Sequence, residues 1–395
     1  MSNQPMSNQL TPDQPNQLYP GQPQSKFQRV WASLDEAVAA GRFPGVVAGV
    51  RQHGVSEFHA SGTLALDSDR PMLESTPFRI ASLSKPFSAV LTSFLLQDGI
   101  LELDDPVSSW LPELAEPRVL LDPNGPLDQT APAESAITVR QLLDGTLGAG
   151  VIFGSSPLSE AVQAAGIGAG TMPPNLSADE YLARFAELPL SYQPGSRWMY
   201  NTSADLLSIL LARASGKTLA ELLWQRITEP LGMLNTAFYA RAEELPAQYI
   251  PGADGLQLVD PADGRFSRQP KFETLAGGLV STVPDYLKFF GALADGHLLP
   301  EEYKRQMVSD QLTVAQRTSA SPILGPSSSW GWQIGVNIAE AENSISAGSY
   351  GWTGGSGTSA VVDPGRDLIG VVFSQRAMAG PDDDFNYFWT PLASQ

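Results

Sequence analysis

A serine and a lysine three residues apart offer the first chemistry in this chain: Ser82-Leu83-Ser84-Lys85. Residues i and i+3 share one face of a helix, so this hydroxyl and this amine can meet. A neutral amine so placed can take the hydroxyl proton and turn the serine into a nucleophile. The chain has six lysines, and Lys85 alone has a serine three places before it. Beyond it, Phe87, Val90, Leu91, Phe94 and Leu95 recur at helical spacing and predict a buried face. Pro86 is tolerated only in a first turn, so the helix is predicted to begin close to Ser82. Free backbone N–H groups at such a start favour developing negative charge.

A serine nucleophile needs a proton carrier and oxyanion donors. The three histidines do not suit the first role: His53 falls in a hairpin turn, His59 in a strand, His297 in a loop. There is no Gly-x-Ser-x-Gly elbow, no His-Glu-x-x-His and no phosphate-binding loop. Gly354-Gly355-Ser356-Gly357 lies between strands and is not a dinucleotide motif. Neither a metal nor a cofactor is expected. Tyr200, in Trp198-Met199-Tyr200-Asn201-Thr202, falls between a turn and a helix start, where its phenol could carry a proton. Trp352-Thr353-Gly354-Gly355 precedes a strand, and its glycines let backbone approach a ligand closely. A strand-edge N–H there could join that of Ser82 as an oxyanion donor.

The 395 residues are 42% hydrophobic and 17% charged, the balance of a globular protein of two or three units. A net charge of −18 repels nucleic acid and anionic membranes, so neither is expected as a partner. The absence of cysteine excludes disulfides and thiol chemistry. Residues 1–24, rich in Asn, Gln, Pro and Ser, have no basic start and no apolar run. They read as a disordered tail rather than a secretory signal, and a cytoplasmic location is expected.

A helix is predicted over residues 25–40, strands over 45–50 and 55–60, then the Ser82 helix. A long loop follows over 113–136. Thr138 with Gln141, and Ser177 with Glu180, mark capped helix starts on either side of an irregular stretch, 148–175. Further helices are predicted over 203–215 and 219–227. Thr282 caps another, which makes Asp285 a structural residue. Strands return at 330–336, 359–362 and 368–374. Strands at both ends of a chain can share a sheet, so the layout predicts an α+β domain, residues 25–110 with 270–395, interrupted by a mostly helical domain over 111–269.

Ser82-x-x-Lys85, Tyr200-Asn201-Thr202 and Trp352-Thr353-Gly354, in this order, resemble the serine β-lactamase and penicillin-binding-protein superfamily, specifically its class C β-lactamase and family VIII carboxylesterase branch. The flanking phrases Ile137-Thr138-Val139-Arg140-Gln141-Leu142-Leu143, Gln193-Pro194-Gly195-Ser196, Glu229-Pro230-Leu231-Gly232-Met233 and Ala276-Gly277-Gly278-Leu279-Val280-Ser281 are similar to it too. The resemblance implies a β-lactamase/transpeptidase-like fold, an antiparallel sheet flanked by helices. It implies that Ser82 is acylated, that Lys85 and Tyr200 share the base role, and that Ser82 and Gly355 donate oxyanion N–H groups. Trp352, Thr353 and Gly354 would bind substrate. Which of Lys85 and Tyr200 takes the first proton stays open.

Three positions depart from the family's pattern. Thr202 stands where lactamases have asparagine, and Asp144-Gly145-Thr146-Leu147 replaces their His-Thr-Ser-Gly. Trp352 replaces the lysine whose cation recognises a substrate carboxylate. Losing that cation favours a small neutral ester: the expected activity is a serine carboxylesterase acting on short acyl chains, with acyl transfer as a variant. A β-lactamase or D-aminopeptidase would need another anchor, such as Arg79 or Arg376. A non-catalytic binding descendant of the fold is a third reading.

Overall fold

In a computed structural model the chain is described over residues 25–170, 172–340, 345–380 and 383–395, so the tail expected over 1–24 lies outside the described residues. The elements that frame the site are, in chain order, α1 (Gln28–Ala39), β1 (Gly45–Gln52), β2 (Val55–Gly62), α2 (Lys85–Gln97), α3 (Thr202–Ser215), α4 (Val283–Ala294), α5 (Val314–Leu324), β3 (Ser328–Trp330), β4 (Gly335–Asn337), β5 (Tyr350–Gly354), β6 (Thr358–Asp363), β7 (Leu368–Ser374) and α6 (Asn386–Ala393).

The seven strands form one sheet in the order β2-β1-β7-β6-β5-β4-β3, with every neighbouring pair antiparallel. Strands from the two ends of the chain therefore pair inside the sheet, where Val47 lies opposite Phe373. This is the expected α+β, β-lactamase/transpeptidase-like architecture. The central strands are covered on both faces, and their side chains alternate between two cores. Val46, Ala48 and Val50 pack with Val372 against α1 and α6. Val47 points the other way, with Val371 and Phe373, toward Val283 and Leu287 of α4. Gly49 shares that second face because a Cβ there would lie 2.7 Å from Leu287 and 2.8 Å from Val283.

Helix α2 is buried nearly all round, as a helix at the centre of a large core must be. Phe87, Val90, Leu91 and Leu95 are fully covered, and Phe94 is half-buried beneath the Arg226 guanidinium. Its buried hydroxyls turn inward: Ser88 donates to the Lys85 carbonyl at 2.7 Å, Thr92 to Ser88 at 2.7 Å and Ser93 to Ala89 at 2.9 Å. Pro86 occupies the first turn, and Ala81–Ser84 forms a tight 3₁₀ lead-in. That lead-in is fastened on both sides. Phe78–Arg79 pairs with Val280–Ser281, the Ile80 N–H donates to Leu279, and the Tyr286 hydroxyl donates to Leu83 at 2.9 Å. From the sheet, Ser356 donates to the Arg79 carbonyl at 2.5 Å and Thr358 to Ile80 at 3.1 Å.

One strand assignment needs correction and one needs extending. Residues 330–336 are not one strand but a hairpin between β3 and β4, closed by a Gly331 N–H to Ile334 carbonyl bond of 2.8 Å. Gln333, at φ 54°, turns the chain and sends its amide to the Leu142 carbonyl and to Ser203. The Trp352 segment precedes a strand, β6, as expected, but Trp352–Gly354 also lies within a strand of its own, β5, paired with both β4 and β6. Two stretches expected to be irregular also carry structure. A strand pair, Arg118–Leu120 with Thr130–Pro132, lies in the first, and a helix, Pro157–Ala164, capped by Ser156, lies in the second. The helix predicted over 219–227 ends at Leu223 and continues as a π turn through Thr228. No helix among the described residues is long and apolar enough to cross a membrane.

Gly354 sets how closely β5 approaches the serine segment, since a Cβ there would stand 2.3 Å from the Ile80 carbonyl and 2.3 Å from Thr358 Oγ1. Gly354→Ala is expected to lower stability by about 1–3 kcal/mol, the usual cost of overpacking. The urea midpoint should fall with an unchanged slope.

Candidate active site

Ser82 lies on the 3₁₀ lead-in, half-buried, and faces a cleft of about 450 Å³. The residue before it, Ala81, has φ 43°, a conformation alanine seldom adopts. Strain of this kind persists only where the surroundings impose it, and here the bonds to Arg79 and Ile80 on one side and Leu83 on the other hold the segment. One turn on, Lys85 is 1% exposed. Its Nζ reaches Ser82 Oγ at 3.1 Å, Asn201 Oδ1 at 2.9 Å and the Ala276 carbonyl at 2.5 Å. Burial pushes the amine down to about 7, while the Asp205 carboxylate opposes that shift.

Tyr200 completes the group. Lys85 Nζ lies 4.6 Å from the centre of its ring. Its phenol receives the Trp352 indole N–H at 2.6 Å and interacts with the Ser82 hydroxyl. Burial pushes the phenol up to about 12; those two hydrogen bonds oppose the shift. The ring belongs to an aromatic cluster with Trp198, Trp330 and Trp352, at centroid distances of 4.7–6.0 Å. Gly335 makes room for it, because a Cβ there would lie 2.7 Å from the Trp352 ring.

The altered loop 144–147 positions Tyr200. Asp144 accepts the Thr146 N–H at 3.0 Å and its hydroxyl at 2.6 Å, closing the turn. The turn then receives the Met199 N–H on the Gly145 carbonyl and the Gly195 N–H on the Thr146 carbonyl. On its other side the Tyr200 carbonyl accepts from Val151.

Asn201, Asp205 and the Ala276 carbonyl are participants that the sequence reading did not assign. Asn201, at φ 83°, occupies the N-cap position of α3 and, rather than capping the helix, turns its amide oxygen to Lys85 and its amide nitrogen to Asp205 Oδ2, at 3.1 Å. The amide function thus stands at 201, and Thr202 interacts instead with the buried Tyr181 phenol. Asp205 also accepts from Thr274 at 2.6 Å and from Tyr181 at 3.3 Å. Burial pushes its carboxyl up to about 6. The Asn201-x-x-x-Asp205 spacing at a helix start was a usable signal, since i and i+4 share a face. A backbone carbonyl leaves none.

Thr353 and Gly355 line the same cleft as Ser82, Tyr200 and Trp352, whereas Gly354 lies beneath it against Ile80. The two arginines considered as anchors are already engaged. Arg79 is buried and holds Asp260 at 2.7 Å, along with the Pro246 and Pro261 carbonyls. Arg376 holds Asp383 at 2.6 Å. His53 and His59 are engaged by Asp367 and Asp35. Among the described residues no group of three or more His, Cys, Asp or Glu side chains could hold a metal.

This fold and this site define a serine hydrolase of the β-lactamase/transpeptidase class. The chain belongs to the Beta-lactamase family, whose model matches residues 31–392. It is 32% identical over 379 residues to esterase EstB of Burkholderia gladioli, spanning 89% of this chain and 92% of that protein. An uncharacterized protein of Mycobacterium tuberculosis (strain CDC 1551 / Oshkosh) is 33% identical over 358 residues, 86% of this chain and 87% of that one. Among solved structures, EstCE1, described as a hydrolase with promiscuous acyltransferase activity, superposes with a TM-score of 0.80 at 24% identity, over 93% of this chain and 97% of that one.

Replacing Asp205 by asparagine keeps the size and shape of the side chain and removes the negative charge that raises the Lys85 titration. In Asp205→Asn the amine should therefore lose its proton at a pH below that of the wild type, near 7. The ¹³C shift of the Lys85 ε-carbon, followed through pH 5–9, reads this directly; an unmoved or raised titration would contradict the electrostatic role given to Asp205.

Proposed function

We propose that this chain is a serine carboxylesterase that acylates Ser82 with short, uncharged acyl groups and hydrolyses the acyl-enzyme. The carrying observation is that the Lys85 amine, buried and pushed down to about 7, touches Ser82 Oγ. A neutral amine has two N–H donors and one lone pair. Its three neighbours match that count: the Asn201 and Ala276 oxygens accept, and the Ser82 hydroxyl can donate. Lys85 then takes the serine proton as the oxygen attacks the ester carbonyl. The N–H groups of Ser82 and Gly355 receive the developing oxyanion. Tyr200, protonated at neutral pH, stands beside the departing oxygen and passes a proton to it, recovering one from Lys85. Water repeats the sequence on the acyl-enzyme; an alcohol in its place gives acyl transfer.

A neutral ester is supported by what surrounds the reacting groups. None of the described residues lining the cleft is charged, and Trp352 and Thr353 give it an apolar wall and a hydroxyl. A β-lactam or D-peptide carboxylate would need a cation there, and Arg79 and Arg376 are bound to aspartates. EstB, named an esterase, and EstCE1, a hydrolase with promiscuous acyltransferase activity, are in keeping with this reading.

Turnover of p-nitrophenyl acetate and butyrate tests it. Ser82→Ala should lose ~10⁴-fold or more in kcat, and a fluorophosphonate should label wild type at Ser82. Because only the neutral amine accepts a proton, kcat/KM should rise with pH through about 7 and fall below it. Undiminished turnover in Ser82→Ala refutes the assignment, and faster cleavage of nitrocefin or D-alanine-p-nitroanilide than of esters reverses the substrate class.

A further inference from the structure

The cleft at Ser82 does not end at Tyr200. Val151, Phe153, Tyr200 and Ile323 wall both the catalytic lobe and a second lobe of about 320 Å³, so the two adjoin. Their linings differ in charge. The catalytic lobe has no charged lining residue among those described, whereas the second has one, Arg197.

Arg197 is exposed and makes no ion pair among the described residues, in a protein of net charge −18 whose Arg79, Arg213, Arg226 and Arg376 all hold carboxylates. It is nonetheless held in place. Its guanidinium carbon lies 4.6 Å from the centre of the Tyr192 ring, and its Nη1 donates to the Tyr192 hydroxyl at 2.8 Å. The turn before it is fixed by Ser196 donating to the Gln193 carbonyl at 2.6 Å and by Gln316 of α5 donating to the Gly195 carbonyl at 2.8 Å. The residue after it, Trp198, is buried in the aromatic cluster. One edge of the guanidinium is occupied by Tyr192. The remaining N–H groups form the planar fork that suits a carboxylate.

We propose that the second lobe holds the alcohol portion of the substrate and that Arg197 recognises a carboxylate carried on that alcohol. This rests on the esterase reading and narrows it: the acyl group stays short and uncharged, and the charge sits on the leaving group. The side is assigned by Tyr200, which walls both lobes and, in that reading, protonates the departing oxygen. In acylation the bond from Ser82 Oγ to the acyl carbon forms, the bond from that carbon to the alcohol oxygen breaks, and the proton taken from serine ends on the alcohol. The alcohol so released sits next to Tyr200, on the flank formed by Met199 and Trp198.

The test compares 4-acetoxybenzoate with methyl 4-acetoxybenzoate, which share a scissile bond and differ in a remote charge. The ratio of their kcat/KM values should fall by about 10-fold in Arg197→Ala, carried by KM, with partial rescue in Arg197→Lys. Added salt should shrink the wild-type ratio toward that of the variant. An unchanged ratio overturns the subsite. So does an Arg197 effect confined to mono-4-nitrophenyl succinate, whose charge is on the acyl side. Calorimetric binding of 4-hydroxybenzoate reads the subsite without turnover. Equal affinity in wild type and Arg197→Ala overturns it, whereas Arg197-dependent binding in a protein that hydrolyses none of these esters upholds the subsite and overturns the esterase reading alone.

Discussion

The amine of Lys85 has been taken out of water, and the site is built around satisfying it. An ammonium buried without partners costs several kcal/mol. Here three oxygens surround the nitrogen, from the turn before α2, the start of α3 and the segment leading to Val280. No two of these are neighbours in the chain, so the fold must deliver all three. The backbone pays for that delivery in local strain: Ala81 and Asn201 both take positive φ, at roughly 1–3 kcal/mol each. The enclosing bonds from Tyr286, Ser356 and Thr358, and the burial of α2, offset that strain.

The second constraint is the tryptophan at 352. Its indole N–H meets the Tyr200 oxygen at 2.6 Å, and its ring packs edge-on against Trp330 at 4.7 Å. One side chain therefore replaces a cation with a neutral donor and seals the same wall with apolar surface. A lowered local dielectric strengthens every remaining polar contact in the site. It also leaves the first lobe without a charged lining residue among those described, whereas Arg197 lines the second.

Much of this was legible in the sequence because it is local. The Ser82–Lys85 pair, the Pro86 helix start and the apolar spacing of α2 are all encoded within about fifteen residues, as are the Thr138 and Ser177 caps. The pairing of strands from both chain ends followed from layout. What escaped was set by tertiary packing. Residues 330–336 read as one strand because Trp330, Trp332, Ile334 and Val336 alternate, yet Gln333 bends the chain to bond Leu142 and Ser203 across the fold. Tyr350–Gly354 was hidden by its glycines, which weaken strand signals; Gly351 and Gly354 are there because Ala360 and Ile80 backbone atoms approach too closely for a side chain. Arg79, three residues before Ser82, was considered as a substrate anchor but is consumed by Asp260, a partner 181 residues away that no local pattern announces.

Burial disfavours charge of either sign, and that single effect separates the two groups proposed as proton carriers. It pushes the Lys85 amine down to about 7 and the Tyr200 phenol up to about 12. Near neutral pH the amine can therefore be empty while the phenol remains full, which is the arrangement a base and an acid need. A lysine at 352 would draw the phenol back toward its anion by direct charge, whereas an indole N–H does so only as a hydrogen-bond donor. In the proposed reaction, the exchange of lysine for tryptophan thus does two things at once. It removes the anchor for a substrate carboxylate beside the scissile bond, and it leaves burial to hold the Tyr200 phenol up at about 12, in keeping with Lys85 as the first proton acceptor of that reaction.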